Sequence, residues 1–317
     1  MALEASELMP NLQREVILAE AKPFDPLTHL EDFEKRFPIA MGILRIGGVH
    51  PTEDAKMDNP YTGQPDNESF TNVGEHCLAV ACFAESVAQR LQERGVFKQA
   101  ETDWVTQRAL VHDANKRLEV FRKKALRAGI IKDAYSPKAY ETIRPILLAQ
   151  GFDQETIEYM ARAGAETSHL SIASFLRLED GIPSLVPGRM VDKIVHLADD
   201  CTSTSIPREG EKPLTVYLTP WERMVASEFP TRYPFSWKEG LGFNLAGEVA
   251  IVPDATAAER SFRWVRSYAC YQPFVSNLIC REIQSIVDPL DTVKPEYFVK
   301  DLVNGTLASS PLKPIQG

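Results

Sequence analysis

The chain has 317 residues and a mass of 35.5 kDa, long enough to bury a large core without disulfide staples. Its 44% apolar and 25% charged residues are the ordinary globular mix, which excludes disorder as a description of the whole chain. Its 35 Lys and Arg stand against 44 Asp and Glu, a formal charge of −9. That balance argues against a duplex nucleic-acid binder, but a local basic pocket for a small phosphorylated molecule remains compatible with it.

In chain order, residues 5–22 are predicted to form an amphipathic helix with Leu8, Leu12, Val16 and Leu18 on its apolar positions. Glu4, Glu7, Arg14, Glu15 and Glu20 interrupt this region, which therefore lacks the pattern of a secretory signal. Residues 47–72 are rich in Gly, Pro, Asn and Asp and read as a long loop, a kind of segment that is often functional. From Val73 to about Arg94 a helical stripe runs through Leu78, Ala81, Cys82, Val87 and Leu91, with Gly95 as its stop. A second helix is predicted from Asp103 to Ala128, ending at Gly129. Shorter helices follow at 137–150, 153–165 and 168–178, then a turn at Asp180–Pro183 and a helix over 187–202.

After Ser205 the composition changes. Prolines and glycines flank two β-prone stretches, Leu214–Leu218 and Glu248–Val252, and a long helix follows over 256–286 with Pro273 as a kink. Aromatic residues Trp221, Phe229, Tyr233, Phe235 and Trp237 cluster between prolines and read as packing of a loop-rich subdomain. The organisation predicted is an N-terminal helix and long loop (1–70), a helical domain (71–205) and an accessory region (206–317). No run approaches the roughly 18 apolar residues of a membrane span. The five cysteines, Cys77, Cys82, Cys201, Cys270 and Cys280, are odd in number and form no CxxC pair, so they read as packing residues. The expectation is a soluble, cytoplasmic protein.

Four residues carry the chemistry. His112 precedes Asp113 inside the predicted helix ALVHDANKRLEVF, His76 sits in the helix before it, and Asp199 in the later helix MVDKIVHLADD. Imidazole and carboxylate are both ligands for divalent metals, and three packed helices can aim such groups into one space. Neighbouring residues on a helix point about 100° apart, so His112 and Asp113 share an ion only at the helix edge. Asp200 rivals Asp199 as the last ligand, and Asp192 is a more distant rival.

This order, His, then His-Asp, then Asp, resembles the HD-domain superfamily of metal-dependent phosphohydrolases. Asn72–Ala81, Ala109–Lys116 and Val195–Asp199 are similar to its three ligand-bearing helices, and the resemblance covers about 70–205. It implies a mainly α, HD-domain-like helical bundle, with residues 206–317 as a mixed, loop-rich C-terminal extension. It implies a divalent ion (Mn, Mg, Co, Ni, Zn or Fe) on His76, His112, Asp113 and Asp199, and hydrolysis of a phosphate ester, often in a nucleotide. Such an ion lowers the pKa of a bound water and polarises a phosphoryl oxygen.

Asp113 is then a candidate to orient water. Lys116, one turn beyond His112, is a candidate catalytic and phosphate-binding group. Arg117 adds a substrate-binding cation, and Glu119 is a weaker candidate for a base. His169 is a further catalytic candidate or a ligand for a second metal. Two other readings stay open. Relatives with two irons oxidise their substrate with dioxygen, using two extra histidines, for which His169 and His196 are the candidates here. A ligand-sensing module without catalysis is the third reading. The partner expected is a small phosphorylated substrate rather than a membrane or a duplex, and a homo-oligomer is left open.

Overall fold

A computed structural model of the chain describes residues 17, 21, 23–53, 56–66, 68–132, 139–158, 175–179, 182–204, 215–220, 222–223 and 275–287. These residues are mostly helical, as expected. The predicted helix over 5–22, His169, the β-prone stretch 248–252 and Pro273 lie outside the described residues, apart from Ile17, which is helical, and Ala21, which lies in a bend.

The segment before the long loop carries more structure than its sequence announces. A 3-10 turn at Pro26–His29 leads into α1 (Leu30–Arg36) and α2 (Pro38–Ile46). Phe37 separates the two helices at φ −128°, ψ 55°. It precedes Pro38, whose ring disfavours helical geometry in the residue before it, while Pro38 itself suits the first helical position. The loop that follows holds a small hairpin of β2 (Met57–Asp58) and β3 (Pro65–Asp66).

The centre of the fold is α3 (Thr71–Glu93), in which residues 77–84 are buried without interruption. A helix buried all round must be enclosed by neighbours. Here they are α4 (Gln99–Val111), α7 (Met190–Cys201), the 3-10 turn and the strand β6 (Thr202–Thr204). Small side chains at Ala79, Ala81, Ala84 and Ala88, all fully buried, allow close approach on several sides. Gly74 serves the same end. A Cβ there would stand 2.2 Å from the Val49 carbonyl oxygen and 2.5 Å from the Pro51 nitrogen, so the long loop runs directly against the start of α3.

The predicted helix from Asp103 to Ala128 is two helices. α4 ends at Val111, residues 112–115 form a turn, and α5 (Lys116–Arg127) follows. The turn is closed by Ala114 N–H donating to Val111 O (3.1 Å) and Lys116 N–H to Asp113 O (2.9 Å), the tight spacing of a 3-10 turn. Helix α6 spans Ala139–Ala149.

The predicted helix over 168–178 is corrected where it is described. Leu176–Glu179 is strand β4, paired antiparallel with β5 (Ile182–Leu185). Leu-Arg-Leu-Glu alternates with period two, and that local pattern prevails.

Residues from all three predicted segments share one core, running from Phe24 through α3 to Val287. β1 (Pro23–Phe24), β7 (Thr215–Tyr217) and β6 form an antiparallel sheet with β7 in the middle. Residues 275–287 are helical and bury Val275, Ile279, Cys280, Ile283 and Val287. This helix is fastened to α7 through Lys193, whose side chain is fully buried. The Lys193 ammonium donates to both Glu282 oxygens, at 2.6 and 2.9 Å. Among the described residues no helix is long and apolar enough to cross a membrane.

Removing one partner of a buried pair leaves an uncompensated charge. Glu282→Ala should therefore lower the unfolding free energy by about 3 kcal/mol. The double variant Lys193→Met, Glu282→Leu should recover most of that loss. Chemical denaturation measures both; equal losses in the two proteins would remove the pair from this role.

Candidate metal centre

Three of the four predicted ligands converge. His76 comes from the first third of α3, His112 from the residue that caps α4, and Asp199 from the last turn of α7. One ligand atom of each lies within 4.8 Å of the others. His76 Nε2 is 3.0 Å from Asp199 Oδ1, and His112 Nε2 is 3.6 Å from the same oxygen. The two imidazole rings are 5.3 Å apart, inclined by 59°.

His112 is oriented by the backbone. Its Nδ1–H donates to the Ala109 carbonyl at 2.7 Å, so Nε2 faces the other two groups. This is the usual way a protein fixes the tautomer of a metal-binding histidine. Nε2 is buried with no hydrogen-bond partner among the described residues, an arrangement that is costly unless a cation or proton occupies it. Two imidazoles and a carboxylate match the donors that divalent transition metals accept. The residues thus fit a bound ion: His76 Nε2, His112 Nε2 and Asp199 Oδ1 would hold it.

The charges agree. Burial alone would push the Asp199 carboxyl up, but the close imidazoles of His112 and His76 and the nearby Arg223 hold it well below the usual range. Burial likewise opposes a charged His112, yet the neighbouring Cys77 sulfur and Asp199 raise it well above its ordinary value. Burial, opposed by Asp199, lowers His76. The pocket therefore favours positive charge at one point, supplied by a proton or by a metal ion.

Adjacent carboxylates on α7 part company. Asp199 faces the histidines. Asp200, 1% exposed, faces the other way, accepts a hydrogen bond from Ser276 Oγ and lies 3.3 Å from His196 Nε2. His196 packs against Phe175 and contributes no atom to the three-residue cluster. Asp192 pairs with Arg108 (2.6 Å) and Arg189 (3.0 Å) instead.

Asp113 lines the same cleft as His76, but it stands outside the set of three. Its oxygens lie 3.3 and 3.2 Å from Lys116 Nζ. Burial would raise its pKa, but Lys116 and His112 outweigh that and lower it. Asp113 raises Lys116 in turn, and the Lys116 side chain is 41% exposed. Glu119 lies on the exposed side of α5.

The structure places Arg117 elsewhere. It is 1% exposed, donates to Gly48 O and Asp66 O (3.2 Å each) and lies over the Phe70 and Phe121 rings. Its charge is committed to pinning the long loop onto α5. Gly47, at the end of α2, supports the doublet from below: a Cβ there would stand 2.2 Å from Ala114 O, inside the 112–115 turn.

Sequence reasoning missed one residue, Arg223. Its NH1 donates to the Asp199 carbonyl at 2.6 Å and to Asp200 Oδ1 at 3.4 Å, and the side chain lines the cleft. A signal existed. Thr219-Pro220-Trp221-Glu222 has the form of a helix start, with a hydroxyl cap, Pro at the first position and Glu at the third. Thr219 N–H donates to Glu222 Oε2 (2.9 Å) and Glu222 N–H to Thr219 Oγ1 (3.2 Å), which sets Arg223 one turn in.

A second cluster, Glu34, His50 and Glu53, also brings three donors within 4.8 Å. Arg45 already bridges it, donating to Glu53 at 2.8 Å and to Glu34. That guanidinium accounts for the two carboxylates.

No family model, no curated protein and no solved structure matches this chain.

Gly47→Ala should displace the 112–115 turn, and if the three-residue cluster holds Mn2+ the variant should bind it about 10–100-fold more weakly, the usual cost of disturbing a ligand's support. Titration calorimetry checks it, with circular dichroism to confirm retained helix. Unchanged affinity would mean the turn is held by other contacts.

Proposed function

We propose that the chain is a metal-dependent phosphohydrolase with an HD-type helical core, acting on a phosphate ester of a small molecule such as a nucleotide. The observation that carries this reading is the convergence of His76, His112 and Asp199 from three separate helices, with His112 Nε2 buried, oriented and, among the described residues, without a hydrogen-bond partner. Orienting such a group for packing alone would cost stability without return. The cleft beside it has a volume of about 290 Å³ and is open to solvent at Asn72, Val73, His76 and Asp113, room for a phosphoryl group and part of its alcohol.

A divalent ion bound there supplies Lewis acidity toward a phosphoryl oxygen and lowers the pKa of water. The protein's own residues supply the rest. His76, His112 and Asp199 hold and orient the ion. Asp113, kept ionised by Lys116, accepts a hydrogen bond from the attacking water and takes its proton. As the water oxygen bonds to phosphorus, the P–O bond to the alcohol breaks; the departing alkoxide takes a proton from solvent, and Asp113 releases the one it took to solvent. Lys116 holds Asp113 in place and adds a point charge at the rim.

The di-iron reading needs two further histidines at the ion, and His196 lies behind Asp200. That placement favours the hydrolase.

Elemental analysis of gently purified protein, followed by a screen of phosphomonoesters, tests the proposal. About one non-iron divalent ion per chain and metal-dependent release of phosphate are expected. Asp113→Asn should keep the ion and lose about 10²–10⁴-fold in turnover, the range for losing a general base. Asp199→Asn should lose the ion itself. No metal after reconstitution would overturn the proposal, and about two irons per chain would favour the oxygenase.

A further inference from the structure

We infer that Arg223 is the substrate-anion residue of this cleft, binding a phosphoryl oxygen beside the metal-ligating cluster; the inference rests on the phosphohydrolase reading and adds to it a residue outside the HD-like segment. Besides His76 and Asp113, the cleft is lined by Asn72 and Val73, one turn before His76 at the start of α3, by Thr202, Ser203 and Thr204 of β6, and by Arg223. Among these described lining residues Arg223 is the cation. The other charged side chain lining the cleft is the Asp113 carboxylate, and Asp199 Oδ1 lies 3.0 Å from His76 Nε2. Two carboxylates repel a phosphate, so an anionic substrate needs a fixed positive group on the cleft side in addition to the ion.

Arg223 is placed for that task. Its guanidinium is anchored by the Asp199 carbonyl and by Asp200. Its NH2 stands 3.9 Å from Asp199 Oδ1, beyond hydrogen-bond distance from the same oxygen that serves the metal cluster. A phosphoryl group there can meet both the cluster and the guanidinium. An anchored, planar guanidinium loses little freedom on binding an oxyanion, and charge-assisted hydrogen bonds of this kind are the strong ones.

The neighbouring groups suit the same ligand. Asn72 presents an amide in the first turn of α3, and Ser203 a hydroxyl, both partly exposed beside the cleft. Neither is charged, and both can donate to a phosphoryl oxygen or to a hydroxyl of the alcohol. The rim thus takes a phosphate joined to a polar alcohol.

The probe is inorganic phosphate, titrated into the full chain saturated with Mn2+, with Mn2+ affinity measured separately for each protein. Arg223→Gln should lower phosphate affinity by about 10–100-fold, the loss of charge-assisted hydrogen bonds to an anion. Mn2+ affinity should stay within about threefold, and Arg223→Lys should recover part of the phosphate affinity.

Asn72→Asp is the second variant, because it leaves the Asp199 brace untouched. It should weaken phosphate by at least about tenfold while Mn2+ binds as well or better, since the new carboxylate repels one and attracts the other. If Arg223→Gln binds phosphate as the unaltered protein does, or if Mn2+ affinity falls by the same factor as phosphate affinity, Arg223 only braces Asp199 and the inference fails. If Arg223→Gln does not fold, unchanged phosphate binding in Asn72→Asp overturns it. Unaltered protein that binds Mn2+ but not phosphate sinks this inference alone. Protein that binds no Mn2+ sinks the phosphohydrolase reading with it.

Discussion

Two adjacent carboxylates sit in the last turn of α7, shielded from water and against the negative end of the helix dipole. That is an unfavourable place for negative charge, and the surrounding structure answers it on two sides. Asp199 is met by His76, His112 and Arg223. Asp200 is met by Ser276, His196 and the same Arg223. Because successive helix residues diverge by about 100°, one charge is turned toward the cleft and the other toward the scaffold. The groups that compensate Asp200 also fix the backbone that aims Asp199. Ser276 brings in the helix at 275–287, and Arg223 brings in the segment after β7. The candidate centre therefore depends on chain elements far outside the His-Asp pattern.

The site is supported from below by close backbone approaches that admit no side chain. Gly74 lets the Val49–Pro51 stretch lie against the start of α3, four residues before the turn of helix that bears Leu78 and two before His76. Gly47 lets the end of α2 touch the 112–115 turn. Arg117, buried between Phe70 and Phe121, ties the same loop to α5 through the Gly48 and Asp66 carbonyls. A segment whose composition reads as loop thus gains its order from contacts with the helices around the cleft. Loops pinned in this way commonly shape binding sites held on a rigid frame.

The parts of this arrangement legible in the sequence are those written locally. The apolar stripe of α3 and its stop at Gly95, which has φ +73°, follow from residue spacing. So does the β-prone stretch that becomes β7. His76, His112 and Asp199 were legible because each stands in a recognisable helical context. The interruption at 112–115 was not, because apolar periodicity runs on from Ala109–Val111 into Leu118 and Phe121, and a tertiary contact with α2 accompanies the break. The basic run after Lys116 looked uniform, yet its members diverge. Lys116 holds Asp113, while Arg117 is drawn inward by two aromatic rings. Charge alone does not say which cation a fold will bury. The hairpin of β4 and β5 did carry a local signal, the alternation in Leu176–Glu179, which competed with an expectation of helix from the surrounding residues.

Arg223 shows where local and long-range information meet. The cap made by Thr219 and Glu222 is a local device and fixes only where a helical turn begins. That this turn starts beside the end of α7 follows from β7 pairing with β6, Thr202 opposite Tyr217 and Thr204 opposite Thr215. β6 continues directly from α7, so the register of a three-residue strand pair sets how far Arg223 stands from Asp199. A slip of one residue would turn every side chain of β7 to the other face. It would also exchange the buried Tyr217, whose hydroxyl donates to the Ala79 carbonyl of α3 at 2.8 Å, for its neighbour. The hydroxyl of Tyr217 thus helps hold the register, and the register delivers the guanidinium. The cationic wall of the cleft is in this sense a consequence of packing against α3, the same helix that presents His76.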